Sequence, residues 1–546
     1  MEILGTKRLD HLGVVMGVMR ELGVIDLIND RIGHHDQNNV TAGEAVAAMV
    51  LNGLGFVSRP LSLTPQFFET KALDVLFDRD IHPEELNRHR LGRVLDDIHA
   101  YGSELLFSEL ALHASKKIGL SHRFTSLDTT SFSVSGSYDD QTDETAITLS
   151  HGYSKDHRPD LKQVVLELVT SQDGGIPLMM RSFDGNANDS KIFQERCQAF
   201  LSSVQGAWFP NVIVGDSKLY HENNADYLSQ LPFITRIPGS YSAEQQAIRE
   251  ALESKEWTDI DSENAFYEKT LNHLGLDQRW LVIFSKSGQQ RALKSVAKKV
   301  DKEYASAEKA IMHLRNKEFA CEKDARRALS DLSKLFVYHE IILDQIICHD
   351  RYDGKGWPKK DEQPTRQVYQ VFGKVVGLPE KRGSDVAQKS CYVIGTNVPS
   401  DELDAADVIE AYKNQNASIE RGFRFLKDPY FFASSFFLKK PSRIMGLLMI
   451  MTLSLLVYSI AQRHLRQQLL EQNETLPNQI KQPVQNPTMR WIFQLLEGID
   501  VIYVRSNGGL HKQLTGISEL REKILRFFSE HIQDIYDINQ KILLRD

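Results

Sequence analysis

Arg123-Phe-Thr-Ser-Leu-Asp128-Thr-Thr-Ser-Phe-Ser-Val134 is the stretch on which the fold of this 546-residue chain turns. Its β-branched and aromatic residues predict a strand. Downstream, Gln163-Val-Val-Leu-Glu-Leu-Val-Thr170 and Ile176 to Phe183 read as a hairpin around the turn Asp173-Gly174-Gly175. A helical pattern from Asn188 to about Val204 leads into Asn211-Val-Ile-Val-Gly215, an apolar run of the kind a central strand shows when both faces are covered, with Asp216 at its end. A short helix then precedes a fifth strand, Phe233-Ile-Thr-Arg-Ile237, closed by Pro238-Gly239. Three strands, helix, strand, helix, strand describe an α/β unit with a mixed sheet.

Upstream, residues to about Gly119 read as helical. Thr41-Ala-Gly-Glu44 is a capping box, and Pro83-Glu84-Glu85 is a first turn for a helix running toward His99. That helix carries Arg88, His89, Arg90 and Arg93, which suit either DNA phosphates or a solvated face balanced by Asp96 and Asp97. Downstream, a segment of different character runs from about Ser240 to Val398. It shows one clear strand, Arg279 to Phe284, and a lysine-rich helical stretch in which Lys294, Lys298 and Lys302 line one face. Interspersed Asp301, Glu303 and Glu308 leave that face open between a solvated surface and a DNA-backbone contact. Trp357, in a cationic loop from Arg351 to Lys360, either stacks on a base or packs. Cys391 to Asn397 returns to strand.

A helix follows over Tyr412-Lys-Asn-Gln-Asn-Ala-Ser-Ile-Glu420-Arg-Gly-Phe-Arg424-Phe-Leu-Lys427, with Glu420, Phe423, Arg424 and Lys427 at i, i+3, i+4 and i+7 on one face. Met445 to Ala461 is apolar but falls short of the ~18–20 residues of a membrane span. Thr452, Ser454, Tyr458 and Ser459 interrupt it, so it reads as a buried core helix. Beyond Arg466 come a polar linker to Pro487, a helix near Trp491, a short strand Val501 to Val504 and a terminal helix from about Ser518.

A net charge of -8 excludes a global attraction to nucleic acid, so any such binding comes from local basic patches. Four cysteines without a C-x-x-C pair suggest neither a zinc finger nor a disulfide framework. The N-terminus is too polar for a secretory signal, so a cytoplasmic protein is expected, without membrane attachment.

Three carboxylates stand out: Asp128 within the first strand, Asp216 at the end of the fourth, and Glu420 on the later helix. In an RNase H-like sheet the first and fourth strands are neighbours and a following helix packs across them, so the three acids would meet. Three hard oxygen ligands suit Mg²⁺ or Mn²⁺ and phosphoryl transfer. Taken singly, the aspartates read more readily as a turn cap and a helix start than as catalytic groups. Asp139, Asp140, Asp143 and Glu144 are rival acids in a polar loop.

Leu127-Asp128-Thr-Thr, Gly152 to Gln163, Gly185-Asn-Ala-Asn-Asp189, Val214-Gly-Asp216-Ser, Phe233-Ile-Thr-Arg-Ile-Pro238 and the Tyr412–Lys427 helix together resemble a bacterial insertion-sequence transposase of the DDE group with the tyrosine-arginine-glutamate-lysine signature. The resemblance implies an RNase H-like core in two parts, 120–239 and 399–466, split by an insertion at 240–398. It also implies an N-terminal helical domain at 1–119, a candidate for DNA binding, and a C-terminal helical region at 467–546. By the same resemblance Asp128, Asp216 and Glu420 form the metal triad, and Lys427 and Tyr412 are the signature lysine and tyrosine. One departure stands: seven residues separate Tyr412 from Glu420, and Gln415-Asn416 occupy the region of the arginine, whose substitute is Arg421 or Arg424.

The implied activity is cleavage at terminal inverted repeats and joining of 3′-hydroxyls to target DNA. Arg424, Lys427, Lys155 and Arg158 would contact phosphates of double-stranded DNA, and synapsis of two ends calls for at least a homodimer. A metal-dependent nuclease without joining and a non-catalytic end-binding repressor are the alternatives.

Overall fold

The computed structural model describes residues 2–33, 39–56, 59–121, 123–136, 138, 145–152, 158, 160–186, 212–254, 256–352, 363–429, 438–506 and 509–538. Two units separate by their internal contacts, one of Met1–Thr235 with Asp407–Asp546 and one of Arg236–Ala406.

The first unit holds the sheet expected from the opening stretch. Its strands are β1 (Phe124–Val134), β2 (Lys162–Ser171), β3 (Pro177–Phe183), β4 (Val212–Gly215) and β5 (Phe233–Arg236), in the spatial order β3-β2-β1-β4-β5. β1, β2 and β3 pair antiparallel, whereas β4 runs parallel to both β1 and β5. The first and fourth strands are therefore neighbours. The β4 residues are all buried, as their unbroken apolar run requires. The helix expected over Asn188–Val204, the acids Asp139 to Glu144 and the loop tryptophan Trp357 lie outside the described residues.

The Pro441–Glu471 helix is the axis of this unit's core. It is the one described helix long and apolar enough to cross a membrane, yet 83% of its most apolar window is buried. It packs against Leu12–Leu22, Ala42–Leu54, Arg88–Tyr101, Ser103–Lys117 and β3. Its internal hydroxyls cost little because they bond back one turn, Thr452 Oγ1 to Leu448 O at 2.8 Å and Ser454 Oγ to Ile450 O at 2.9 Å. Two bidentate ion pairs pin its outer turns: Arg443 to Asp96 (2.8 and 2.6 Å), and Arg463 to Asp173 in the β2–β3 turn (2.8 Å twice).

The capping box at Thr41 is present, with Glu44 N donating to Thr41 Oγ1 (3.1 Å) and Thr41 N donating to Glu44 Oε2 (2.7 Å). Thr41→Ala is expected to cost about 1 kcal/mol in denaturant unfolding, whereas Thr41→Ser should remain close to the parent.

Three local expectations are corrected. Glu2–Arg8 is a strand, not helix, pairing with Asp500–Ser506, which in turn pairs with Gly509–Thr515. Seven residues without an apolar stripe have no face to hold a helix down, and a ladder satisfies their backbone instead. The turn at Pro83–Leu86 is 3₁₀, and the helix proper starts at Arg88, because Asn87 Oδ1 accepts from His89 N and Arg90 N at 3.0 and 3.1 Å. Finally, the segment after Ser240 has far more strand than Arg279–Phe284 alone.

In this second unit Cys391–Thr396, Leu276–Ser285, Asn264–His273 and Thr258–Asp259 lie side by side in that order, antiparallel. His339–Arg351 and Arg366–Gly377 form a long two-stranded ribbon. The Lys286–Arg315 and Glu322–Ser333 helices cover one face of it, burying Ile311, Ala325, Leu329, Ile341 and Val371.

Candidate active site

Register places the two aspartates. In the parallel β1–β4 ladder Ser126 pairs with Val214 and Leu127 with Gly215, so Asp128 and Asp216 are the next residues on adjacent strands, about 4.8 Å apart in the pairing direction. Side chains alternate along a strand, so Asp128 shares a face with Ser126, Thr130 and Phe132, and Asp216 shares it with Val214. Both aspartates are half-buried. β4 ends at Gly215, and Asp216 turns the chain: its Oδ1 accepts from Lys218 N (2.9 Å) and its carbonyl from Thr235 Oγ1 (2.7 Å) on β5. Asp128 Oδ1 accepts from Thr129 N (2.6 Å).

The Ala405–Leu426 helix lies along this same face. Arg123 at the foot of β1 pairs with Asp407 (2.5 Å), and Gln172 donates both to Ser126 Oγ (3.1 Å) and to Ala411 O (2.8 Å). At the far end Lys427 Nζ stands 5.6 Å from the centre of the Phe132 ring. From Arg123 to Phe132 a strand advances about 30 Å, and from Asp407 to Lys427 a helix advances about 30 Å, so the two run alongside each other with ends matched. Thirteen residues beyond Asp407, Glu420 comes about level with Asp128 and Thr129.

Val408, Ala411, Gln415, Ile419, Phe423 and Leu426 of this helix are buried, Phe425 packs on Tyr458 of the Pro441–Glu471 helix with ring centres 4.7 Å apart, and Glu420, Arg421 and Arg424 are exposed. Tyr412 and Lys427 are half-buried. Register thus joins Asp128 with Asp216, and Glu420 lies at their level with an exposed side chain. Among the described residues no three acidic, histidine or cysteine side chains gather as a metal-binding group. Arg158 is exposed and held by Asp160 in a bidentate pair (2.9 and 2.7 Å), and Lys155 lies outside the described residues.

These observations converge with a comparison to known families: the family described as Transposase DDE domain matches residues 119–457. The chain belongs to the DDE transposase family. Ahead of that match, a domain of unknown function (DUF4277) matches residues 4–112. No curated protein matches this transposase. Among solved structures, a cryo-EM piggyBac transposase synaptic complex with hairpin DNA is similar at a TM-score of 0.37 and 8% identity, covering 90% of this chain and 82% of that one.

The motif glycines of the transposase have a steric reason. Gln163 N donates to Ser150 O (2.9 Å), Gln163 Nε2 to Gly185 O (2.7 Å) and Gly185 N to Thr148 O (3.1 Å). This knot leaves no room for a side chain: a Cβ on Gly185 would lie 2.2 Å from Gln163 O and 2.4 Å from Ser150 O, and one on Gly152 would lie 2.1 Å from Gly185 O. At Gly185 all the obstructing atoms are backbone. Gly185→Ala should therefore lower stability by about 1–3 kcal/mol, read as a fall in Tm, because β2 must shift to admit one methyl.

Past the helix, Arg490 Nη1 pairs with Asp428 (2.7 Å), and the Tyr458 hydroxyl accepts from Arg490 N (3.0 Å). Burial pushes the Tyr458 phenol above its usual range and Arg466 below its own, the latter assisted by the Arg421 cation. Gln172, Arg123 and Thr235 position the site, and sequence reading assigned them no role. Arg123 and Thr235 lay inside quoted stretches, whereas nothing in the residues around Gln172 signals a bond to a helix 239 positions away.

Proposed function

We propose that this chain is the transposase of a bacterial insertion sequence, that it binds the terminal inverted repeats of its element, cleaves there and joins the 3′-hydroxyls to target DNA. The observation that carries the reading is the placement of Asp128 and Asp216 as register neighbours on one face of the sheet, beneath the helix bearing Glu420. Two half-buried carboxylates side by side repel one another unless a cation joins them. Their hard oxygens fit Mg²⁺ or Mn²⁺. Such an ion, when bound, activates the attacking hydroxyl and stabilises the leaving oxygen in an in-line displacement at phosphorus.

In this reading the core is RNase H-like, and the protein's own residues hold and orient. Asp128 and Asp216 are fixed by strand register, and a modest movement of the exposed Glu420 side chain completes the triad. Arg424 and Lys427 at the helix's end, with Tyr412, Lys155 and Arg158, meet backbone phosphates of double-stranded DNA. The 1–119 part contributes further DNA contact through the exposed Arg88, His89 and Arg93. Two ends are held by a homodimer in the bacterial cytoplasm.

The test uses purified protein, Mg²⁺, a labelled inverted-repeat duplex and a target plasmid. Strand transfer supports the proposal. Cleavage without joining supports a nuclease, and a mobility shift with neither supports an end-binding repressor.

A further inference from the structure

The Lys286–Arg315 helix carries eight cations against three carboxylates. Its buried residues, Ala292, Val296, Val300, Ala307 and Ile311, fix the side that faces the rest of its unit. At about 100° per residue, Arg291, Lys294, Lys298, Lys302 and Lys309 then fall within a sector of about 80° on the opposite side. All five are exposed. Ser287, Ala305 and Met312, in the same sector, add nothing acidic, and Asp301 and Glu308 fall about 20° and about 40° outside it.

The third carboxylate is withdrawn. Glu303 faces the ribbon, accepting from Val337 N (3.1 Å), Tyr338 N (2.7 Å) and the His339 ring (3.0 Å). Among the described residues Lys294, Lys298, Lys302 and Lys309 enter no ion pair, whereas other cations of this unit are engaged, such as Lys269 with Glu250, Arg279 with Glu268 and Arg326 with Glu322. A solvated helix face gains from alternating signs, and this one forgoes them over a straight row. From Arg291 to Lys309 the row is about 27 Å long, the axial rise of about eight base pairs.

We propose that this row is a nucleic-acid-backbone contact on the second unit, holding double-stranded DNA through its phosphates without reading sequence. It rests on the reading of the chain as an enzyme acting on DNA and adds a contact outside the carboxylate site. The stripe lysines act as point charges that release counterions from the duplex, so their signature is in salt dependence rather than in specificity.

The experiment is fluorescence-anisotropy binding of a 30-base-pair duplex lacking any inverted repeat, over a salt series. It compares the parent, the Lys294→Gln/Lys298→Gln/Lys302→Gln variant and a control with Lys323, Lys334 and Lys381 changed to Gln. The stripe variant is expected to bind at least tenfold more weakly at 0.1 M salt, with a log–log salt slope shallower by about 2.7, and the control to match the parent. A stripe variant with parental affinity and slope overturns the proposal, as does a control that loses as much as the stripe. Parental binding to anionic vesicles but not to duplex overturns it too. If the stripe fails while inverted-repeat cleavage persists, only this inference falls. If the stripe variant behaves as expected and the parent neither cleaves nor joins, the reading of the carboxylate site falls instead.

Discussion

Asp216→Asn is expected to keep the fold and duplex binding and to lower end cleavage and strand transfer by on the order of 10³-fold, about 4 kcal/mol of transition-state stabilisation. The amide preserves the shape of the side chain, and its oxygen can still accept from Lys218 N, so the turn that follows β4 survives. What is lost is a negative charge beside Asp128, and with it half of the hard-oxygen pair that strand register creates. Asp128→Asn should behave alike, and the double variant should be little worse than either single one, because residues that act as one unit are not additive. The measurement is product formation on a labelled element-end duplex, with binding followed separately. If either single variant joined ends at the parental rate, the two aspartates would not be the site.

Acid stability is the second large effect. His11 is fully buried, stacked on Phe493 with ring centres 4.4 Å apart and beside Phe56 at 4.8 Å. Its Nε2 lies 2.8 Å from Leu54 O and so carries the proton of the neutral ring, while Nδ1 has no hydrogen-bond partner among the described residues. Protonating Nδ1 would bury a charge with nothing to accept its hydrogen, and burial lowers the group from 6.5 to about 4.

Between those two values the unfolded chain binds a proton that the folded chain refuses. Stability therefore falls as pH drops through that window, by about 3 kcal/mol in all. It is complete above pH 6.5 and fully lost below about pH 4. Urea unfolding at several pH values gives the slope. His11→Gln keeps a donor for Leu54 O but does not titrate, so its profile should lose this component. An unchanged profile in that variant would mean another group is responsible.

Much of the core was legible because its signals are local. The apolar run at Val212–Val214 reads as a covered strand, the Asp173-Gly174-Gly175 turn joins a hairpin, and the spacing of Glu420, Phe423, Arg424 and Lys427 marks a helix, although only Phe423 of those four is buried. The Pro441–Glu471 helix was legible for the same reason, since its hydroxyls find acceptors one turn back in its own backbone. The ribbon of His339–Arg351 with Arg366–Gly377 was not legible, because half of each strand faces away from the core and its polar residues dilute the alternation. Glu2–Arg8 was illegible for a stronger reason: its partner lies some 500 residues away.

In the opening stretch, Arg123 to Val134, residue types alone determined that there is a strand, that Asp128 lies inside it, and that other acids follow at a strand end and on a helix. Tertiary structure decided that β4 docks beside β1 in parallel with Leu127 opposite Gly215, which turns two aspartates 88 positions apart into neighbours. It also decided which face the helix covers, through Gln172 and Arg123, and that Glu303 turns inward and leaves a row of lysines unopposed. Periodicity reports which side of an element is apolar. Register and docking depend on pairings between distant segments, and no local pattern encodes those.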